Sequence, residues 1–505
     1  MSRVRRSVWS EGPGWNETLI WYAKAVGVMT QRPVTERTSW RFLAGMHGYH
    51  EGHWRALGVL KPEETLPGGT ELDMFWSKCQ HGSWYFLPWH RGYLSAFEQI
   101  VLSAVVEAGG PQDWALPYWN YSSTAEPNAR KVHPAFTAPN MPDGTPNPLY
   151  TRFRFGNSEA GEVILSDLDV DLGALSDSVY SRGWNTAGGF GGGGSATSHN
   201  AGQAGSLERT PHGNVHTAVG GAAELPGLGE VPGFMSLFET AGLDPLFWLH
   251  HANIDRLWEV WLKRDQKHRN PDDARWLGGP MDRPFVMPRP DGSEWHFASA
   301  EMVATDAPLL NYVYDDVSDP LVVTAGLTEG LVPPAHQGEV EAVDTQLIGT
   351  NGTEIRLGAG GATTEVAVDE QVLRRASEQM TEGPEAAAAA GAFFLTLESI
   401  RGLNNVAIYQ VEVDYGAAGG ELPSGEARAM ILGSFSTFGL GEASALAEGN
   451  DGMTLTFDIT KLVQRMGFDT EPNLDRLRVS IVPRSAARGI EPPTIGRVNI
   501  YQDTP

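Results

Sequence analysis

The pattern of apolar positions predicts helices in the first part of the chain. Apolar residues recur at three- and four-residue spacing over Trp40–Leu57, Trp89–Val106 and Pro245–Trp261, which is the period of a helix with one buried face. Pro88 stands directly before the second segment and is a typical helix start signal. We therefore predict a mainly α-helical domain at residues 1–332.

Alternating apolar and polar positions return in strand-length pieces near the C-terminus. Residues 333–390 show weaker periodicity and many Pro, Gly and Ala residues, which indicates a connector with room for a short strand or helix. The pattern predicts an α+β multidomain chain that ends in a small β domain of sandwich or jelly-roll type at residues 391–505. The predicted strands are Phe393–Leu397, Val406–Val413, Ala429–Leu432, Met453–Ile459 and Leu477–Val482.

Composition narrows the class of partner. The 505 residues exceed one ordinary core, and 62 acidic against 37 basic residues give a formal net charge of −25. Such a chain repels phosphate backbones and anionic lipids, so we expect small neutral substrates and no nucleic acid or membrane partner. The basic N-terminus lacks an apolar run, and Cys79 is the single cysteine. These features favour a cytoplasmic protein, and a homo-oligomer stays open.

Histidine carries the candidate chemistry, and 13 of the 14 histidines lie before residue 300. His212 and His216 are four apart and share one helix face, although such pairs also occur by chance. His81 and His90 would lie on opposite faces of one straight helix, but Pro88 breaks such a helix. We expect His81 in a loop and His90 in the first turn of the next helix. A polar loop histidine and a capping histidine are the alternative.

His250 and His251 stand side by side in an apolar stretch at residues 244–258. Adjacent side chains on a helix point about 100° apart, so at most one of the two normally joins a given metal ion. Buried imidazoles also need partners. The pair therefore predicts a metal ion or a hydrogen-bond network inside the helical domain.

These segments resemble the copper-A and copper-B signatures of the tyrosinase, catechol oxidase and hemocyanin family. The resemblance rests on His-Gly-Ser-Trp-Tyr-Phe-Leu-Pro-Trp-His-Arg at 81–91 and on Asp-Pro-Leu-Phe-Trp-Leu-His-His-Ala-Asn-Ile-Asp-Arg-Leu-Trp at 244–258. It covers about residues 1–320. It implies a four-helix-bundle core with two copper ions that use O2 to hydroxylate monophenols and to oxidise o-diphenols to o-quinones. Imidazole ligands suit copper.

The resemblance also implies which histidines bind copper. A glycine follows the first copper-A ligand in the family, and Ala44-Gly45-Met46-His47-Gly48 fits that pattern, with His50 and His53 as alternatives. His250 is then a neighbour that supports the site. The implied ligands are His47, His81 and His90 for copper A, and His212, His216 and His251 for copper B.

Residues near these ligands match supporting positions of the family. Glu208 matches a glutamate that holds a water near the coppers, a base for incoming phenols. Phe238 resembles an aromatic gate over copper A, with ordinary core packing as the alternative. Cys79 matches a cysteine that forms a thioether to the nearby ligand, with a small buried apolar residue as the alternative. Gly213 replaces the asparagine of many monophenol hydroxylases, which leaves hydroxylation open, and the adjacent Asn214 is a candidate substitute.

The tail also resembles a known domain. Met453–Thr460 and Leu477–Arg484 are similar to the C-terminal β domain of plant polyphenol oxidases, and Tyr312-Val313-Tyr314 resembles the Tyr-x-Tyr motif of their catalytic domain. This resemblance implies that the β domain covers the copper site and restrains activity. Cover of an apolar flank and an oligomer interface are the alternatives.

Other functions use the same residues in part. A hemocyanin-like oxygen carrier would have the same six ligands, and a catechol oxidase would lack the hydroxylating step. A zinc hydrolase built on His212, His216 and Glu208 would leave the other histidine blocks without a purpose.

Overall fold

The computed structural model describes residues 2–157, 162–182, 188–195, 197, 203–321, 344–403, 405–415, 429–444, 452–469, 472, 474–484 and 491–504. Within these ranges, no helix is both long and apolar enough to span a membrane. The first region is mainly helical, as predicted. Its helices are α1 (Glu17–Gln31), α2 (Trp40–His47), α3 (Glu51–Ala56), α4 (Gly69–Phe75), α5 (Phe86–Glu107), α6 (Asn214–Gly220), α7 (Phe238–Ala241), α8 (Pro245–Leu262) and α9 (Ala274–Gly278).

The structure divides one predicted helix into two. The segment predicted as a single helix over residues 40–57 leaves α2 at His47 and enters α3 only at Glu51. Between them Gly48 lies against the backbone of Phe238, where an added Cβ atom would be 2.7 Å from the carbonyl carbon and oxygen. This contact leaves no room for a side chain. Tertiary packing therefore interrupts the helix at that point.

Helices α5 and α8 form the centre of the first region. Helix α5 begins at Phe86 and includes Pro88 in its first turn, where a proline is tolerated because the N–H groups have no partner within the helix. Helix α8 follows its predicted segment and ends one residue later. Trp248 of α8 stacks on Phe97 of α5 with ring centroids 3.5 Å apart, and this contact joins the two helices.

Short strands tie the N-terminus to this centre. They are β1 (Arg3–Arg5), β2 (Ala222–Leu225), β3 (Gly229–Pro232), β4 (Phe285–Pro288), β5 (Glu294–Phe297) and β6 (Tyr312–Tyr314). Strand β1 pairs with β6 and places Arg5 on Glu98 of α5 at 2.6 Å. The hydroxyls of Tyr312 and Tyr314 both donate to Asp255 Oδ2 at 2.6 Å. This buried network fixes α8 one turn past the histidine pair.

The C-terminal domain is one antiparallel sheet of nine strands in its described residues. The order is β12-β11-β14-β9-β7-β15-β10-β13, with β8 paired to β15. Strands β12 and β13, at the two ends of this order, lie close together. The sheet is a nearly closed barrel instead of the predicted sandwich of two sheets. Its strands are β7 (Asp344–Thr350), β8 (Ile355–Arg356), β9 (Ala362–Val368), β10 (Ala392–Arg401), β11 (Ile408–Asp414), β12 (Met430–Ser436), β13 (Met453–Asp458), β14 (Arg476–Pro483) and β15 (Thr494–Thr504).

Much of the predicted connector takes part in this sheet. Strand β7 pairs with β15 and β9 pairs with β14, so the sheet starts at residue 344 and not at 391. Only one side chain of β9 is buried, and its sequence therefore lacks a strong alternation. Residues 333–343 of the predicted connector lie outside the described residues. The helices here are α10 (Glu370–Glu382), α11 (Pro384–Ala390), α12 (Leu440–Ala443) and α13 (Thr460–Gly467).

Candidate metal centre

Seven buried histidines meet inside the first region. Helices α2, α5, α6 and α8 carry five of them, and the loop before α5 and the turn before α6 carry one each. The packing of these four helices as a bundle stays a prediction. The histidines are His47, His81, His90, His212, His216, His250 and His251.

The two alternatives for the first copper-A ligand lie elsewhere. His50 is exposed and caps α3, because its Nδ1 atom accepts a hydrogen bond from the backbone N–H of His53 at 3.1 Å. The ring of His53 is 3.2 Å from a carboxylate oxygen of Glu239. Of these three histidines, the structure therefore brings only His47 to the cluster.

His81 and His90 converge as predicted, although α5 begins at Phe86 and His90 therefore lies just past its first turn. His81 lies in the loop before α5, and His90 is the fifth residue of that helix. The two rings converge with centroids 5.1 Å apart. A loop followed by a helix thus brings together side chains that one straight helix would separate.

An irregular turn places His212 ahead of α6. The backbone of Thr210 leaves helical values there (φ −146°, ψ 127°), and Pro211 follows it. His216 lies within α6, one turn further on. The rings of His212 and His216 are 4.7 Å apart between centroids, so the predicted pair does face one place.

Four of the rings share one hydrogen-bonding pattern. In each, Nδ1 lies within hydrogen-bond distance of a backbone carbonyl, which accepts the N–H and fixes the tautomer. The opposite nitrogen, Nε2, then keeps its lone pair for another partner. The pairs are His47 with Phe238 (2.9 Å), His90 with Phe86 (2.8 Å), His212 with Glu208 (3.1 Å) and His216 with Met235 (3.0 Å).

These free nitrogen atoms fit metal ions. The Nε2 atoms of three rings (His47, His90 and His212) are buried without a hydrogen-bond partner in the described part of the chain. An unmet buried polar group costs about 1–3 kcal/mol, and a metal ion would remove that cost. Neutral imidazole nitrogens are ligands that copper favours. The donor atoms form groups within 4.8 Å, which include His47, His90 and His251, and His212, His216, His250 and His251.

Burial keeps these imidazoles neutral. It lowers the pKa of His47 to about 4 and the pKa of His250 to about 3. Neutral imidazoles bind a metal without first losing a proton, so the centre is ready to bind at neutral pH. Burial also places the pKa well below the usual value for His90, His212, His216 and His251.

The two adjacent histidines face different surroundings. His251 Nε2 is 3.1 Å from His216 Nε2, and its donor atoms belong to both groups of histidines. His250 Nδ1 is 3.4 Å from the hydroxyl of Tyr121, while its ring lies beside His212 with centroids 5.6 Å apart. His251 is therefore central to the cluster, and His250 lies at its edge with a hydrogen-bond partner of its own.

Glu208 connects the loops that carry His81 and His212. Its carboxylate accepts the N–H of Gly82 at 2.8 Å, and its carbonyl accepts the ring N–H of His212. Burial raises the pKa of Glu208 to about 8. The same carboxylate lines a cavity of about 40 Å³, which has room for water and not for an aromatic ring.

Phe238 and Cys79 both lie close to His81. The ring of Phe238 stacks on His81 with centroids 4.1 Å apart and lines the same cavity. The sulfur of Cys79 is within 4.8 Å of donor atoms of His47 and His81. Burial raises the pKa of the Cys79 thiol well above its usual value. The thioether itself stays a prediction.

Gly213 and Asn214 contact the C-terminal domain. A Cβ atom on Gly213 would be 2.8 Å from Ser436 Oγ of β12. The side-chain amide of Asn214 donates to Ser434 Oγ at 2.7 Å. The side chain of Asn214 therefore points to the β domain. This direction does not match its predicted role as a substitute for an asparagine at position 213.

The C-terminal domain reaches the centre through Phe438, which follows β12. Its ring stacks on His216 with centroids 3.9 Å apart and planes 9° apart, and it also contacts Phe238 at 4.6 Å. Sequence reasoning missed this residue. An aromatic residue followed by glycine, in a turn directly after a strand, is the signal that could have indicated it.

Comparisons with known proteins identify the chain. A family model described as the common central domain of tyrosinase matches residues 37–264. Tyrosinase HcTyr1 from Hahella sp. (strain CCB-MM4) is 30% identical to this chain over 505 residues, and the match covers 97% of each of the two chains. The chain belongs to the tyrosinase family. The protein is therefore a copper enzyme that oxidises phenols, from a family with a binuclear copper centre.

Plant relatives match as well. Apple (Malus domestica) polyphenol oxidase is 27% identical to this chain, and the match covers 59% of this chain and 46% of the apple protein. The solved structure of latent apple tyrosinase shares the fold, with a TM-score of 0.60 and 21% identity, and the match covers 99% of this chain and 97% of that one. A model described as a domain of unknown function (DUF7868) matches residues 344–503, the described β domain.

Proposed function

We propose that this protein hydroxylates monophenols to o-diphenols and oxidises o-diphenols to o-quinones with O2. The observation that carries the proposal is the pattern of hydrogen bonds that leaves the Nε2 atoms of His47, His90 and His212 without a protein partner inside one buried cluster. When bound, two copper ions would supply O2 binding and electron transfer. The proposed ligands are His47, His81 and His90 for copper A, and His212, His216 and His251 for copper B.

Glu208 supports the hydroxylating step. A monophenol must lose its hydroxyl proton, and a buried carboxylate or a water that it holds is a suitable acceptor. Glu208 lines the cavity beside Phe238 and His81, where the phenol ring would have to enter. We assign Phe238 the role of an aromatic gate at that entrance, because its ring stacks on His81 and lines the cavity.

We further propose that the intact chain is latent. The ring of Phe438 lies on His216, and the remaining cavity of about 40 Å³ is too small for a phenol. The β domain is held by Arg484, which contacts Asp169 at 2.6 Å, and by Asn214 on Ser434. Displacing Phe438 would therefore give a phenol access to the centre.

The test compares initial rates on a monophenol and its matching o-diphenol, with copper content measured alongside. Phe438→Ala in the full chain, and cleavage between Leu321 and Asp344, should both raise kcat/KM on catechol at unchanged copper content. Phe468→Ala is the matched control, because Phe468 is 70% exposed on the same domain. Zinc, or about one copper per chain after full loading, would refute the ligand set.

The same assay separates the alternatives. A hemocyanin-like carrier would form no quinone from catechol, and a catechol oxidase would act on the diphenol only. The absence of faster turnover after both Phe438→Ala and cleavage would leave the β domain with a role in stability alone. The cytoplasmic location stays a prediction that fractionation of source cells can check.

A further inference from the structure

One peptide unit at the start of α7 serves two parts of the centre. The carbonyl oxygen of Phe238 accepts the Nδ1–H of His47 at 2.9 Å. The ring of the same residue stacks on His81 with centroids 4.1 Å apart. A shift of the peptide between Phe238 and Glu239 would therefore turn His47 and move the aromatic ring together.

Residues that follow His47 in the chain hold Glu239, the second residue of this peptide, from the other side. The indole N–H of Trp54 donates to the carbonyl of Glu239, and the ring of His53 is 3.2 Å from Glu239 Oε1. Gly48 completes the contact, since a Cβ there would be 2.8 Å from the nitrogen of Glu239. Trp54 is fully buried, so loss of its N–H would leave that carbonyl without its partner.

We propose that His53 and Trp54 are positioning residues for copper A, which act on His47 through the backbone of Phe238 and Glu239. The proposal rests on His47 as a copper ligand in the proposed function. His53, which was an alternative copper ligand in the sequence analysis, would then position a ligand instead of binding copper itself. Groups that orient a ligating histidine typically contribute about 10- to 100-fold to metal affinity.

This role differs from a general contribution to stability. If the two side chains only stabilise the fold, their loss would lower the unfolding temperature of the metal-free protein and leave copper release unchanged. If they orient His47, copper release would change for one of the two ions only. Copper release therefore separates the two roles independently of catalytic activity.

The experiment uses the full chain loaded with copper and then mixed with excess EDTA, with the remaining copper measured over time. In His53→Ala and Trp54→Phe, one copper per chain should leave about 10-fold faster than in the unmodified protein, and the second at the unmodified rate. His53→Gln should restore slow release, because its amide can donate to Glu239.

Trp114→Phe is the matched control. It removes an indole N–H that donates to the carbonyl of Thr18 in α1 at 3.1 Å, and copper release should not change. Release at the unmodified rate from both test variants would overturn the inference. Should Trp54→Phe fail to fold, His53→Ala decides, since its side chain is partly exposed. An unmodified chain that does not retain two coppers would instead refute the ligand set.

Discussion

Among the single residues of the centre, Glu208 is buried and forms hydrogen bonds with two segments that carry histidines. Its carboxylate is buried, accepts the N–H of the residue after His81 and faces the small cavity. Its backbone carbonyl holds His212 at 3.1 Å. One residue therefore combines a titratable group with hydrogen bonds to both segments that carry the proposed ligands His81 and His212.

Glu208→Gln separates these two roles. Glutamine keeps an acceptor for the N–H of Gly82 but cannot take a proton, so the ligand loops should stay in place. We expect turnover of a monophenol to fall by about 10²- to 10⁴-fold, and turnover of the matching o-diphenol to fall much less. Initial rates at equal copper content measure this. Equal losses on both substrates would point to a structural role.

At the scale of elements, the contact between β12 and the turn before α6 joins the two domains. Arg209 Nη1 and Thr210 Oγ1 both donate to the carbonyl of Ser434 at 3.1 Å. Ser436 sits over Gly213, where the absence of a side chain lets the strand approach. Phe438 follows two residues after the end of β12 and stacks on His216.

Gly213→Ala should weaken this docking, because its Cβ would lie 2.8 Å from Ser436 Oγ. Overpacking typically costs about 1–3 kcal/mol, and the intact chain should therefore oxidise catechol faster. Ser436→Ala removes the opposing oxygen, so the double variant should return toward latency. Unchanged latency in Gly213→Ala would contradict the contact. A double variant that stays active would place the effect on the adjacent His212.

At the scale of the whole molecule, the buried cluster makes the metal-free protein sensitive to acid. An unfolded chain takes up protons on histidine below a pKa of about 6.5, whereas buried His47 resists protonation until about pH 4. The unfolded state therefore binds more protons in this window, and the free energy of unfolding falls as pH is lowered. Glu208, with its pKa raised to about 8, acts in the opposite direction but is one group against several.

We expect the metal-free protein to lose stability steadily from pH 6.5 to pH 4, by up to about 1.4 kcal/mol per pH unit for each buried histidine. Denaturant unfolding at several pH values measures this. His47→Ala should reduce the slope. His296→Ala should not, because the His296 side chain is 56% exposed. Stability that does not vary with pH over this range would contradict the prediction.

Sequence spacing by itself determined the local parts of the centre. Two histidines four apart around α6, a loop histidine ahead of Pro88, and a pair at residues 250 and 251 depend on the helix period and on proline, which act over a few residues. Of the six described strands from residue 392 onward, five were predicted from the sequence and β15 was not. The pattern was clearest in β11 and β14, since buried and more exposed side chains alternate along them. For the same reason β9, which has a single buried side chain, gave no clear pattern.

Only the tertiary structure decided the contacts between distant segments. Phe438 stacks on His216, although more than 200 residues separate them in the chain. Ser434 accepts a hydrogen bond from Asn214 over a similar separation. The break after His47 depends on the backbone of Phe238, which is 191 residues away. No spacing rule records such pairs, because they arise from how separately formed elements pack. The clustered histidines were therefore predictable from the sequence, whereas the contact of Phe438 with them was not.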